Sequence, residues 1–127
     1  MKKLVIVVGL SLFFNAVAFA QSQQTQIIAV ATFKKTESSQ ISDKAARAPY
    51  YLIFDKRGNL LGVISNPFHD VTRGAGPKVA GLLASKNVSV VVAGDFGHKI
   101  KSALDKKGIG HHEASGIVKN VVQDLIK

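Results

Sequence analysis

Cysteine and tryptophan are both absent from the 127 residues, and the single methionine is Met1. Without cysteine there is no disulfide scaffold, no thiolate zinc site, no cysteine-ligated iron–sulfur cluster and no thiol nucleophile. Aromatic residues make up only 7%, too few for a stacking platform along single-stranded nucleic acid, so nucleic acid is not an expected partner. Acidic residues are also scarce, eight against seventeen Lys and Arg, for a net charge of +9. Asp55, Asp70 and Asp95 are scattered along the chain, so the group of carboxylates that a two-metal nuclease needs is missing. Neither a G-x-S-x-G elbow nor a G-x-x-x-x-G-K-S/T phosphate loop occurs. A non-enzymatic protein is therefore expected. There is no repeat, linker or low-complexity stretch. Hydrophobic residues reach 46%, a globular composition, and the length suits one domain.

The first twenty residues stand apart. Met1-Lys2-Lys3 is a positive start, Leu4 to Phe14 is uncharged and mostly apolar, and Ala18-Phe19-Ala20 offers small residues at the two positions a signal peptidase reads. The apolar run is too short for a bilayer core of ~30 Å. We therefore expect a signal peptide over residues 1–20, cleavage after Ala20, and a single domain over 21–127 in the periplasm or outside the cell. Stable membrane insertion is not expected after cleavage. Loss of Lys2 and Lys3 leaves fifteen basic against eight acidic residues, or +7. Such a chain suits an anionic ligand, an acidic partner or an anionic surface.

The mature chain reads as alternating short elements. Gln26–Phe33 is a first strand, and Lys34–Ala46 a polar loop. Tyr50–Asp55 and Leu60–Ser65 form a hairpin about the turn Lys56-Arg57-Gly58-Asn59. Asn66–Gly76 is a glycine- and proline-punctuated loop, and a helix begins at Pro77. Ser89–Ala93, β-branched and continuous, is a buried central strand. Asp95 caps a helix with Phe96, Ile100 and Leu104 on its inner face. His111–Ala114 is a fifth strand. Ser115 caps a last helix carrying Ile117, Val118, Val121, Val122, Leu125 and Ile126. The order β-β-β-α-β-α-β-α implies an α/β fold with a five-stranded mixed sheet and covering helices.

Such sheets bind ligands beyond the carboxyl ends of their parallel strands. That edge gathers Arg47, His69, Asp70, Arg73, His98 and several glycine N–H groups. Two helix starts, placed at Pro77 and Phe96, add their positive ends. His69 and His98 are the candidate metal ligands. His111 and His112 are adjacent on a strand and point to opposite faces, so they do not share one ion.

Several short motifs resemble one known family. Arg47-Ala48-Pro49-Tyr50-Tyr51 is similar to the G-R-A-P-Y-F signature of the dinitrogenase iron–molybdenum cofactor biosynthesis family. Asn66-Pro67 with Gly74-Ala75-Gly76 resembles its second signature, and Val90 to Gly97, VVVAGDFG, its third. Ala103-Leu104 with Gly108-Ile109, then Ala114-Ser115-Gly116, match later landmarks in order. The resemblance spans nearly all of residues 26–127. It implies a ribonuclease H-like three-layer fold and a domain that binds or carries metal–sulfur clusters without being an enzyme. It also implies that Arg47, Tyr50, Asn66, Gly74, Gly76 and Gly94 contribute to ligand binding. The expected cargo is a metal–sulfur cluster or an oxo- or thiometallate. Two departures stand out. Ala46 replaces the glycine before Arg47, and an exported protein lies outside cytoplasmic nitrogenase assembly. The alternative is an interaction module that keeps the fold without a ligand. The oligomeric state stays open.

Overall fold

The computed structural model describes residues 26–127. The expected signal peptide and its cleavage site after Ala20 lie outside the described residues. The strands are β1 (Ile27–Thr32), β2 (Tyr50–Asp55), β3 (Leu60–Ser65), β4 (Val90–Ala93) and β5 (Gly110–Glu113); the first four are predominantly apolar, and β5 is Gly-His-His-Glu. The helices are α1 (Ala75–Ser85), α2 (His98–Lys106) and α3 (Val118–Leu125). The sheet order is β3-β2-β1-β4-β5. β2 is antiparallel to β1 and β3, whereas β1, β4 and β5 are parallel. This is the five-stranded mixed sheet, and the element order, expected from the sequence.

Alternation along the strands builds two cores. Ala29, Ala31, Tyr51, Ile53, Val91 and Ala93 face Val79 and Leu83 of α1 and Ile100 and Leu104 of α2. Ile28, Val30, Leu52, Phe54 and Val92 face Val118 and Val122 of α3. Both faces of β1 and β4 are therefore buried, which is why these strands read as continuous apolar runs and not as alternating ones. Helices on both faces make three layers. No helix among the described residues is long and apolar enough to cross a membrane.

The helix starts differ from the sequence expectations, and in each case a backbone feature decides. α1 begins at Ala75, two residues before Pro77. Gly74, at φ 76°, turns the chain, and its carbonyl accepts from Lys78 N–H. Pro77 then sits within the first turn, where its missing N–H costs nothing. Asp95 does not cap α2. The helix starts at His98 behind Gly97 without a side-chain cap, while the Asp95 carbonyl accepts from Ala45 N–H. Phe96 reaches the core before the helix begins. Ser115 does not cap α3 either. Gly116, at φ 114°, redirects the chain. The Val118 and Lys119 N–H groups donate to the Ser39 and Glu37 carbonyls, so a distant loop caps this helix. The fifth strand also begins one residue earlier, at Gly110.

That loop, polar in sequence, is partly internal. Ser39, Ile41, Ser42 and Ala45 are buried. Ser42 N–H donates to the Ala31 carbonyl, and Gly94 N–H donates to the Ser42 carbonyl. The segment is thus laid across the carboxyl ends of β1 and β4.

Candidate functional site

Because β3 is antiparallel to β2, it runs in the same direction as β1, β4 and β5. Their carboxyl ends share one edge, and the chain between β1 and β2, the loop 66–74 and residues 94–97 lie over it. There they enclose a cleft of about 510 Å³, lined by residues 44–47, 72–76, 95 and 97–100.

Two helix N-termini open into this cleft. Gly74, Ala75 and Gly76 bring the start of α1, and Gly97, His98 and Lys99 the start of α2. Gly76 allows them to lie side by side. A Cβ on it would come within 2.9 Å of the Ile100 nitrogen and 3.0 Å of the Ile100 Cα. Neither helix has a side-chain cap or an acidic residue in its first turn. Each therefore presents the positive end of its dipole, equivalent to roughly half a unit charge. Lys44, Arg47, Arg73 and Lys99 also line the cleft, and Asp95 is its only carboxylate-bearing lining residue. Four cationic side chains, one anionic side chain and two helix ends create an electropositive concavity suited to an anion.

Arg47 is partly engaged within the protein. Its Nη1 donates to the Val71 carbonyl, and at 3.4 Å to the His69 carbonyl, tying the loop 66–74 to the cleft wall. The remaining guanidinium N–H groups leave it able to meet a ligand.

The rest of the wall is fastened from below. Asn66 is 2% exposed. Its Nδ2 donates to the Ala48 carbonyl at 2.9 Å and the Ala46 carbonyl at 3.1 Å, and its Oδ1 accepts from Phe68 N–H at 2.9 Å. The buried Tyr51 hydroxyl donates to the Ala45 carbonyl and lies 3.4 Å from Asn66 Nδ2. Burial pushes the Tyr51 phenol well above the ordinary tyrosine range, so it remains a donor. Three carbonyls of Ala45–Ala48 are thereby occupied by donors on the core side of the wall.

Of the residues proposed from sequence, the cleft lining brings together Arg47, Arg73, Gly74, Gly76 and His98. Tyr50, Asn66, Gly94, His69 and Asp70 are not part of it. Tyr50 lies under the Lys35 ammonium, 5.3 Å from the ring centroid. Gly94 passes under the Ser42–Asp43 segment, where a Cβ would meet the Asp43 Cα at 2.8 Å. His69 is exposed and touches the site through its carbonyl's bond to Arg47. No group of three or more His, Cys, Asp or Glu among the described residues could hold a bare metal ion. Lys44 and Lys99 were missed in the sequence. Lys99 could have been found from its place beside His98 at a helix start. Lys44 has no such signal, because its loop reads as solvated.

His111 and His112 do lie on opposite faces of β5. His111 Nε2 is 3.2 Å from Asp105 Oδ1 of α2, with its ring 5.3 Å from that of Phe96. His112 borders a groove with Leu125 and Ile126 at the end of α3.

Comparison with solved structures finds the same fold. The apo form of the orange protein (ORP) from Desulfovibrio gigas superposes with a TM-score of 0.74 and 24% identity, over 81% of this chain and 88% of that one. TM1290 from Thermotoga, a NifB-like protein of the DUF35 family, gives 0.66 and 32% identity, over 77% and 84%. PH0822 gives 0.67 at 14% identity, over 80% and 90%. No curated protein matches the chain. The family model described as dinitrogenase iron-molybdenum cofactor matches residues 26–127, the whole of the described structure. With that match, and with the Thermotoga protein at 32% identity, the chain belongs to the dinitrogenase iron–molybdenum cofactor family.

Proposed function

We propose that the protein binds and carries an anionic metal–sulfur species in the cleft between the α1 and α2 N-termini, without chemical turnover, and does so in the periplasm. The observation that carries this reading is the pair of uncapped helix starts, held together at Gly76 and surrounded by Lys44, Arg47, Arg73 and Lys99. The family's description names an iron–molybdenum cofactor, and the ORP structure is described as an apo form. Both point to domains that hold something. The chain has no cysteine, so the metal must arrive with its own sulfide ligands. The protein then meets the outer, negatively charged surface of that species with N–H groups and guanidinium, and His98 adds a donor at the first position of α2. The export signal in the sequence moves the reading from nitrogenase assembly to a carrier outside the cytoplasm.

Titration with tetrathiomolybdate, with and without copper, tests it. Saturable binding is expected, weakening as salt rises because part of the attraction is long-range. Arg47→Ala should weaken binding by about tenfold, in line with the loss of a charged hydrogen bond. Asp95→Asn should tighten it, since it removes the cleft's own negative charge. No binding in either titration, or identical affinities for the wild type and both variants, would leave the ligand-free interaction module as the better reading.

A further inference from the structure

The sheet ends differently at its two edges. β5 is four residues long, carries His111, His112 and Glu113, and has His111 held by Asp105. β3 at the other edge is six residues long, LLGVIS, with neither charge nor proline. Among the described residues it pairs only with β2, so its outer N–H and C=O groups have no strand partner. Three large apolar residues are exposed along it: Leu60 at 40%, Leu61 at 55% and Val63 at 40%. Proteins ordinarily guard such an edge with Lys, Pro or a covering element. Here the one irregularity is at Leu61, the residue without a β2 partner between the pairs Ile53–Gly62 and Phe54–Leu60. Gly62–Ser65 is left regular.

We propose that β3 pairs antiparallel with β3 of a second copy of this chain, joining two five-stranded sheets about a two-fold axis near Val63. Two observations favour this occupant. The first is the backbone. A lipid surface would cover the leucines but leave edge N–H and C=O groups unpaired in hydrocarbon, at several kcal/mol each; a strand satisfies both. The second is charge. Two mature chains of +7 repel over most of their surfaces, but β3 is an uncharged strip, so no like charges face one another across the join. Pairing on Val63 keeps side chains of the same face together, so Val63 meets Val63 of the second copy and Leu61 flanks Ser65.

The mass of the purified protein in solution, measured by light scattering over a range of concentrations, tests the pairing. Twice the chain mass is expected, falling towards one chain on dilution. Val63→Lys and Val63→Glu should each run as single chains with an unchanged far-UV circular dichroism spectrum, because this exposed site tolerates a charge in the monomer. Mixing the two variants should restore the doubled mass, since opposite charges then face each other. A wild type of single-chain mass at every concentration would overturn the proposal. So would a doubled mass that survives both substitutions, or variants whose mixture stays monomeric.

Discussion

Asn66 gives the sharpest test of how the cleft wall is held. In Asn66→Ala, the buried Ala48 carbonyl loses a donor at 2.9 Å, the half-buried Ala46 carbonyl one at 3.1 Å, and the Phe68 N–H its acceptor. A buried polar group left without a partner costs about 1–3 kcal/mol. The full penalty applies to Ala48, which is 0% exposed. Water can reach the other two groups, so each costs only a fraction of it. The sum is about 2–4 kcal/mol, a large share of the ~5–15 kcal/mol that holds a domain of this size together. Urea unfolding should show a lower midpoint at unchanged slope. Asn66→Asp separates lost hydrogen bonding from lost volume. The carboxylate still accepts from Phe68 N–H but faces two carbonyls it cannot donate to, so its folded-state pKa is raised. The variant's deficit should be smallest below the ordinary carboxylate value of about 4, where the neutral acid can donate. It should grow as pH rises through the raised folded-state pKa. An Asn66→Ala variant within about 0.5 kcal/mol of wild type, the range of ordinary surface substitutions, would refute the account of the wall.

Gly76→Ala should separate the two helix starts, because the added Cβ meets the Ile100 backbone and not a side chain that could rotate away. A stability loss of about 1–3 kcal/mol is expected for overpacking, with tetrathiomolybdate binding weakened in the folded fraction, both read by titration of one sample series. At the β2–β3 turn, the Asp55 carboxyl is held below its ordinary range by the Asn59 backbone N–H, helped by the Asn59 side chain and by the Arg57 backbone N–H and charge, against some desolvation. A lowered folded-state pKa stabilises above the unfolded value and loses that stabilisation as pH falls through the folded one. The advantage of wild type over Asp55→Asn should therefore be greatest near neutral pH and shrink on acidification, as followed by thermal unfolding across pH.

Much of the fold was legible because it depends on short-range pattern. The bounds of β2 and β3 follow from two apolar runs separated by Lys56-Arg57-Gly58-Asn59, where Gly58 takes up φ 86°. The two-sided burial of β4 follows from Val90-Val91-Val92. Helix starts were less legible because their caps are not local. Ser115 and Asp95 are good capping residues by type. Yet the N–H groups of α3 are satisfied by carbonyls about eighty residues upstream, at Glu37 and Ser39, and Gly116 moves Ser115 out of position. The loop containing those carbonyls looked solvated because serine is usually exposed, whereas Ser39 and Ser42 are buried with their hydroxyls bonded to nearby backbone.

The site divides along the same line. Gly74 and Gly76 were legible through the resemblance of Gly74-Ala75-Gly76 to a family signature, and Arg47 as a cation beside the carboxyl edge; all three line the cleft. Asn66 has the same chemistry whether it faces a ligand or a pair of main-chain carbonyls. What decides is the path of Ala46–Ala48, eighteen to twenty residues before it. Once that segment crosses above β2, its carbonyls need donors from beneath, and Asn66 and Tyr51 are the buried side chains placed to give them. Carbonyls drawn to the core side are also negative dipoles kept out of the cleft. The same hydrogen bonds that brace the wall therefore preserve the positive character on which anion binding depends, and a residue outside the lining can matter to the ligand as much as one within it.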